Sequence, residues 1–344
     1  MKVLINASNL KEGGSIQVAT SIIYEMMNDL QFLEANDITL FISDEVFLNL
    51  DIKIICNYEI VNWSPLYVFN LKYIEIFTSF NFVFNIFGPH YYFFKNKNTY
   101  TGFALPYLFE GKQSIKSKLR KRFFLKAENL IIEHEWLLED TKKIFPQNNI
   151  VVVNNSLNHV FYEEKLKSFN NDYYDNLKSD GYKFFYCITR NYQHKNLSKL
   201  ISLIELLNED GKYALILTLR KEEIEDLNIN KKYFLNLGEV KIHDVPPIIE
   251  KCNFFISLSD KECFSISPIE ALKMKKKLFL NNKIFYKRII GDFASYIDSN
   301  DLISSKRVIL DSINDNPIDA SRFLVKFHPK IRWENIKKII SSYE

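Results

Sequence analysis

The chain reads as two α/β domains, each built on a mostly parallel sheet. Three observations lead there. Short apolar runs of strand length alternate with stretches of helical periodicity. The strand–loop–helix order of the first half begins again after residue 181. With 344 residues there is also enough chain for two cores of ordinary size.

Lys2–Ala7 is apolar and reads as the first strand, and Ser8–Gly14 as a polar loop ending in Gly13-Gly14. From Ser15, Ile16, Ala19, Ile23, Met26, Met27 and Leu30 recur at helical spacing. Glycines after a first strand either let a ligand approach the backbone or simply make a tight turn, and no GxGxxG pattern decides between the two. Ile38–Ile42, Ile52–Cys56, Phe82–Phe87, Leu130–His134 and Val151–Asn154 read as further strands. Phe82–Phe87 runs into Gly88-Pro89-His90, so His90 and His134 both fall at strand carboxyl ends. Open α/β sheets bind ligands on that side, although a lone histidine is more often structural.

Residues 155–181 are polar and weakly patterned and read as a linker. Tyr182–Cys187 opens the second domain as a strand. The loop after it, Thr189–Asn196, carries Arg190 and Lys195 ahead of a helix from Leu197, with Leu200, Ile201, Ile204 and Leu207 on one face. Two cations between a strand end and a helix start suit a phosphate. Tyr213–Leu219 and Phe234–Leu237 follow as strands, then Gly238 and a short helix around Pro246–Lys251. Lys277–Leu280 is a late strand, and Ile331–Tyr343 a terminal amphipathic helix containing Trp333.

The segment Cys252–Met274 combines an apolar strand, Phe254–Leu258, a polar loop, and a helix starting near Ser265–Ser267. Glu262 lies in the loop and Glu270 in the helix's first turns. On one helix the two would be more than two turns apart, so they converge only if the loop folds back. Ser267-Pro268-Ile269-Glu270 also fits a capping box, with Glu270 serving a backbone N–H and Glu262 merely solvated.

Composition narrows the function. At 47% hydrophobic and 25% charged residues the chain is of the globular, ordered kind, and a net charge of +3 gives no cause to expect nucleic-acid binding. Four cysteines (Cys56, Cys187, Cys252, Cys263) without CxxC spacing argue against a zinc site or a disulfide framework and for a reducing compartment. There is neither a membrane-length apolar run nor a signal-peptide pattern, so the expected location is cytoplasmic. Lys112–Lys126 holds seven basic residues and no acid, with Ile115, Leu119, Phe123 and Phe124 as an apolar side. It reads either as a helix lying peripherally on the inner face of an anionic membrane or as a solvated helix packing its phenylalanines inward.

Taken in order, these parts resemble the family 4 glycosyltransferases over nearly the whole chain. The set comprises Gly13-Gly14, Arg190 with Lys195-Asn196, Leu237-Gly238, and the Glu262/Glu270 pair. Val83–Tyr91, Gly102-Phe103-Ala104 and Arg332-Trp333-Glu334 are similar to members that build bacterial surface polysaccharides, O-antigen or capsule. The resemblance implies the GT-B fold: two Rossmann-like domains facing across a cleft, with a C-terminal helix returning to the N-terminal domain. It implies an acceptor domain over 1–157 with helix 330–344, and a nucleotide-sugar domain over 158–329. Arg190 and Lys195 would neutralise the donor diphosphate, Glu270 would hold the ribose, and Glu262 would sit beside the transferred sugar. The N–H groups of Phe264, Ser265 and Ile266 would face sugar or phosphate. Gly13 and Gly14 would approach the diphosphate, Leu237 the base, and His90, with His134 second, the acceptor side.

Such enzymes retain anomeric configuration and need no metal or other cofactor. The expected activity is hexosyl or deoxyhexosyl transfer from a nucleotide-sugar to a lipid-linked oligosaccharide. A nucleotide-sugar epimerase and a non-catalytic binding or scaffold member are the alternatives. One departure bears on the donor: Cys263-Phe264-Ser265 stands where the family commonly has Gly-Phe-Gly.

Overall fold

The computed structural model describes residues 1–61, 78–88, 98–109, 115–164, 166–225, 227, 229 and 232–343. The chain divides into two compact units: Met1–His159 with Lys326–Glu344, and Val160–Val325.

The first unit is a seven-stranded sheet in the order β3-β2-β1-β4-β5-β6-β7. Its strands are β1 (Lys2–Ala7), β2 (Asp37–Ile42), β3 (Asn57–Ile60), β4 (Phe82–Asn85), β5 (Thr99–Phe103), β6 (Asn129–Ile132) and β7 (Asn149–Val152). Every pairing is parallel. β1 is central, and Val3, Leu4 and Ile5 are wholly buried, as expected where both faces of a parallel sheet are covered. The helix Gly14–Met27 follows β1, and Gly13 at its start has φ +57°, a conformation that favours glycine.

The chain's last helix, Pro329–Ser341, packs against Gly14–Met27 and so belongs to this unit. Its anchors are specific. The Trp333 indole N–H donates to Asp29 Oδ2 (2.9 Å), Lys337 Nζ reaches the same oxygen (2.7 Å), and the indole meets Phe32 edge-on at 5.0 Å. Buried Arg332 donates to Asn155 Oδ1, and Asn155 Nδ2 donates to buried Glu133 (2.6 Å). Burial pulls the Arg332 guanidinium down to about 10, while Glu133 acts in the opposite sense.

The second unit is a six-stranded parallel sheet in the order β10-β9-β8-β11-β12-β13. Its strands are β8 (Lys183–Cys187), β9 (Tyr213–Leu217), β10 (Phe234–Asn236), β11 (Phe254–Ser257), β12 (Lys277–Asn281) and β13 (Ala294–Ile297). In both sheets the strand order reverses beside the unit's first strand, between β1 and β4 and between β8 and β11. Ligands of open α/β sheets bind at the carboxyl ends of the strands flanking such a reversal.

Several expectations need correction. Ile52–Cys56 is not a strand: Ile52, Ile54 and Cys56 pack as irregular chain against the core, and pairing with β2 begins only at Asn57. β5 was not anticipated, because its sequence TYTGF mixes threonines with a glycine. The glycine is needed, since a Cβ on Gly102 would lie 1.9 Å from the Ile86 carbonyl oxygen. The polar stretch 155–181 is not all linker. Asn171 caps a helix over Asp172–Ser179, and that helix buries Tyr174 against Phe184 at 4.4 Å. β13 and the helices Ile284–Ile290 and Leu302–Ser312 were likewise not anticipated.

Candidate functional site

In the second unit, the loops leaving β8 and β11 bring two anticipated residues into contact. Lys195 Nζ is ion-paired with Glu262 Oε1, and both side chains are largely buried. The Ser259 hydroxyl donates to the same Glu262 oxygen at 3.0 Å. Glu262 is therefore not a solvated loop residue.

Local geometry explains why the loops meet. Asn196 adopts a left-handed backbone (φ 53°), which asparagine tolerates better than most residues. This conformation separates the short turn Gln193–Lys195 from the helix Leu197–Leu207. The Asn196 amide donates to the Leu258 carbonyl (2.9 Å) and to Asp260 Oδ2 (2.7 Å), and the Asp260 N–H donates to the His194 carbonyl (2.8 Å). From the end of β12, Asn281 turns its amide towards Asp260 Oδ1 (3.1 Å), and Lys283 pairs with the same oxygen (2.9 Å). Burial alone would raise the Asp260 carboxyl. Hydrogen bonds from Asn196, Lys283 and Asn281, with the charge of Lys283, hold it below its ordinary value instead. This latch ties three strand ends together one residue from Lys195 and two from Glu262. The sequence reading passed over Asp260, Asn281 and Lys283, and the only available signal was a run of polar residues after apolar strands.

Arg190 is drawn elsewhere. Its Nη1 donates to Glu239 Oε1 at 2.8 Å, and its Nε faces Glu223 Oε1 at 3.4 Å in an ion pair without hydrogen-bond geometry. Arg220, from the loop after β9, brings its Nε to the same Glu239 oxygen at 2.8 Å. Glu223 also receives the backbone N–H groups of Asn191 and Arg220, both at 2.9 Å. The Leu237-Gly238 turn lies immediately before Glu239. It is braced by Asn236, which exchanges hydrogen bonds with Leu219 at 2.8 and 2.9 Å.

Glu270 is only 3% exposed, in the first turn of the helix Ser267–Lys273. The N-cap is Ile266 and not Ser267, and the Glu270 N–H donates to the Ile266 carbonyl. Phe264, Ser265 and Ile266 are half-buried in the preceding loop. Beneath them the wholly buried Tyr286 hydroxyl donates to Ser257 (2.7 Å) and bonds Ser265 as well. Burial first, then the charge of Glu262, pushes that phenol far above its usual range. Tyr186, on β8, is also fully buried and is raised by burial and then by the charge of Glu270.

In the first unit, Gly13 and Gly14 lie at the end of the β1 loop, with open space where each Cβ would stand. His134 begins a short turn after β6 and accepts the Trp136 N–H at 3.3 Å. Burial, then the charge of Lys326, lowers its pKa. β6 is two strands removed from the β1/β4 reversal. His90 lies outside the described residues.

The comparisons with known proteins agree with this layout. Residues 169–323, nearly all of the second unit, match the model of the family described as glycosyl transferases group 1. No curated protein matches the chain in sequence. Among solved structures, HepE of Anabaena in complex with UDP-glucose superposes with a TM-score of 0.72 at 14% identity, covering 99% of this chain and 100% of that one. MnaA of S. aureus with UDP gives 0.67 at 11% identity, covering 100% and 97%. A glycosyltransferase from Rickettsia africae gives 0.65 at 15% identity, covering 99% and 98%. The fold is GT-B, with two Rossmann-like domains and a C-terminal helix returned to the first, and most of its second unit is similar to the group 1 glycosyl transferases.

Proposed function

We propose that the chain is a retaining, metal-independent glycosyltransferase of family 4. It would move a hexosyl or deoxyhexosyl group from a nucleotide-sugar to a lipid-linked oligosaccharide in bacterial O-antigen or capsule assembly. The observation that carries this reading is the Lys195–Glu262 contact at the β8/β11 strand ends, inside the region that matches the group 1 model. When the bond from sugar to diphosphate breaks, its electron pair leaves with the diphosphate. A preorganised cation aimed at that growing charge lowers the barrier, and Lys195 and Arg190 supply such cations without a metal ion. Glu262 would face the transferred sugar, and Glu270 the ribose. The acceptor hydroxyl would then attack the anomeric carbon from the face that the diphosphate leaves, passing its proton to an oxygen of the departing diphosphate.

The membrane part of the proposal rests on the helix Ile115–Lys126. Phe124 is buried against Phe103 (5.1 Å) and Phe145, so the helix is fixed by that side. Ile115 and Leu119 are 88% and 52% exposed. At about 100° per residue they share a stripe with Arg122 roughly opposite Phe124. Exposed apolar groups among basic ones suit the surface of an anionic bilayer. No described helix is long and apolar enough to cross one. Replacing Arg120, Lys121 and Arg122 with Ser should reduce co-sedimentation with phosphatidylglycerol vesicles about 100-fold, at ~1 kcal/mol per basic side chain. Unchanged sedimentation would remove the membrane from the proposal.

The transferase reading is tested by a thermal-shift panel of UDP, GDP, CDP, dTDP and their sugars, with and without EDTA. Uridine nucleotides come first because HepE and MnaA were solved with them. A ligand at 100 times its Kd adds about 2.7 kcal/mol, a readily visible shift. A shift that survives EDTA, followed by sugar transfer to a lipid-linked acceptor, is the expected result. Release of free nucleotide and an isomerised sugar without acceptor would replace transfer with epimerisation, and no shift at all would leave only the fold.

A further inference from the structure

We propose that Arg190 and Arg220 form an anion-binding fork for the donor diphosphate, and that Glu239 is a built-in carboxylate occupying the fork until the donor displaces it. The proposal rests on the nucleotide-sugar reading above and adds to it a second arginine and a competing acid.

Four facts point this way. First, two guanidiniums from different strand ends converge on a single oxygen, Glu239 Oε1, each at 2.8 Å. Like charges gather so closely only around a shared anion. A diphosphate, with several non-bridging oxygens, can satisfy two guanidiniums better than one carboxylate oxygen can. Second, the arrangement is held from behind. Glu223 pairs with Arg190 and accepts the backbone N–H groups of Asn191 and Arg220, so the fork keeps its shape when Glu239 leaves.

Third, Glu239 is loosely held: its side chain is 57% exposed, whereas that of Arg190 is 16% exposed. An ion pair to so exposed a carboxylate contributes little and is cheaply exchanged. Fourth, the resting contacts leave a buried donor unsatisfied, because Arg190 Nε has no hydrogen-bond acceptor. An incoming phosphate oxygen can supply one. Burial would raise the Glu239 carboxyl, but hydrogen bonds from Arg220 and Arg190 hold it down, so it stays anionic and competes with the ligand at neutral pH.

The charge count explains the gating. With Glu239 in place the cluster holds two arginines and two glutamates and is neutral. When Glu239 swings into water the fork carries a net positive charge, facing the diphosphate.

The test is isothermal titration of the full chain with two probes, UDP and inorganic pyrophosphate, at low ionic strength. Glu239→Gln should tighten both about five-fold, the size that one solvent-screened ion pair supports. Arg220→Gln should weaken both about ten-fold. In the Glu239→Gln background the effect of Arg220→Gln should differ from its effect in the wild type, since the two residues share one contact. Melting temperatures of the variants check that they fold.

Lys195→Ala separates the two levels of the reading. If it weakens UDP while Glu239→Gln and Arg220→Gln bind like the wild type, the diphosphate sits by Lys195 but the fork plays no part. Weaker binding by Glu239→Gln would make Glu239 part of the ligand's seat and overturn its role as a competitor. Wild-type protein that binds neither probe would overturn the fork, and the nucleotide reading would then stand or fall on the full nucleotide panel.

Discussion

Where β1 meets β4 in the first sheet, the buried polar side chains among the described residues are amides and hydroxyls. Asn6 Nδ2 donates to Asn85 Oδ1 (2.8 Å), Asn85 Nδ2 to the Thr101 hydroxyl (3.2 Å), and the Ser8 hydroxyl to Asn6 Oδ1 (2.7 Å). At the matching place in the second sheet, where β8 meets β11, the loops carry Lys195, Glu262 and Asp260, and Lys283 reaches Asp260 from the end of β12. The strand orders around the two reversals are alike, so topology does not account for the difference. Neutral amides satisfy one another and ask for nothing further, whereas clustered charges at strand ends are costly to assemble without a charged ligand to serve. This contrast is why the second reversal is the one proposed to hold the donor.

The largest effect should come from undoing the first unit's structural seal. Trp333→Ala removes a buried indole packed on Phe32 and its hydrogen bond to Asp29. A loss of about 3–5 kcal/mol is expected, as for other buried aromatic truncations. Chemical denaturation followed by fluorescence should show it, while UDP affinity, which the proposal assigns to the second unit, should hold at denaturant concentrations where the variant stays folded. Equal loss of affinity and stability would mean that the two units do not divide the work in this way.

Next in size is the charged pair itself. Lys195→Ala should lower kcat/KM about 100- to 1,000-fold, the range for deleting one preorganised contact to developing charge. It should also weaken UDP binding. Glu262→Ala should lower kcat more than it alters UDP affinity, because its assigned partner is the sugar. Wild-type kinetics for Glu262→Ala would return that residue to a merely structural role. A comparable loss of kcat on Asn6→Ala would give the first reversal a share in catalysis and spoil the contrast.

How much of this was legible in the sequence follows from which forces act locally. The strands that are apolar throughout, such as β1, β8, β9 and β11, were readable because burial on both faces writes itself as a hydrophobic run. β5 was not, since it is held by neighbours. Thr101 accepts from Asn85 and Gly102 clears the Ile86 carbonyl, and neither fact is visible in TYTGF alone. β3 was misplaced because Ile52, Ile54 and Cys56 carry the pattern of a half-buried strand yet pack as irregular chain. In the candidate site, Lys195 and Glu262 were singled out through an ordered motif. The Asp260 latch and Arg220 were missed because isolated polar residues in loops gain meaning only from partners distant in sequence. Arg190 was anticipated as a phosphate ligand, but its present partners, Glu223 and Glu239, were not.

The smallest effect tests whether the latch matters to the charged reversal. Asp260→Asn keeps a side chain of the same shape but gives up the charge that pairs with Lys283 at 2.9 Å. Asp260's carboxyl is held below its ordinary 3.8, so its stabilising contribution is complete above that value and is lost as the pH falls through the lower folded value. The stability difference between wild type and Asp260→Asn should therefore be flat from neutral pH down to about pH 4 and shrink below it. Because the pair is partly solvated, the plateau should lie between a few tenths and about 1 kcal/mol. Denaturant titrations at a series of pH values measure it. Growth of the difference below pH 4 would show that the ionised carboxylate does not stabilise the latch. A plateau of zero would mean that Asn196 and Asn281 hold the loops without it.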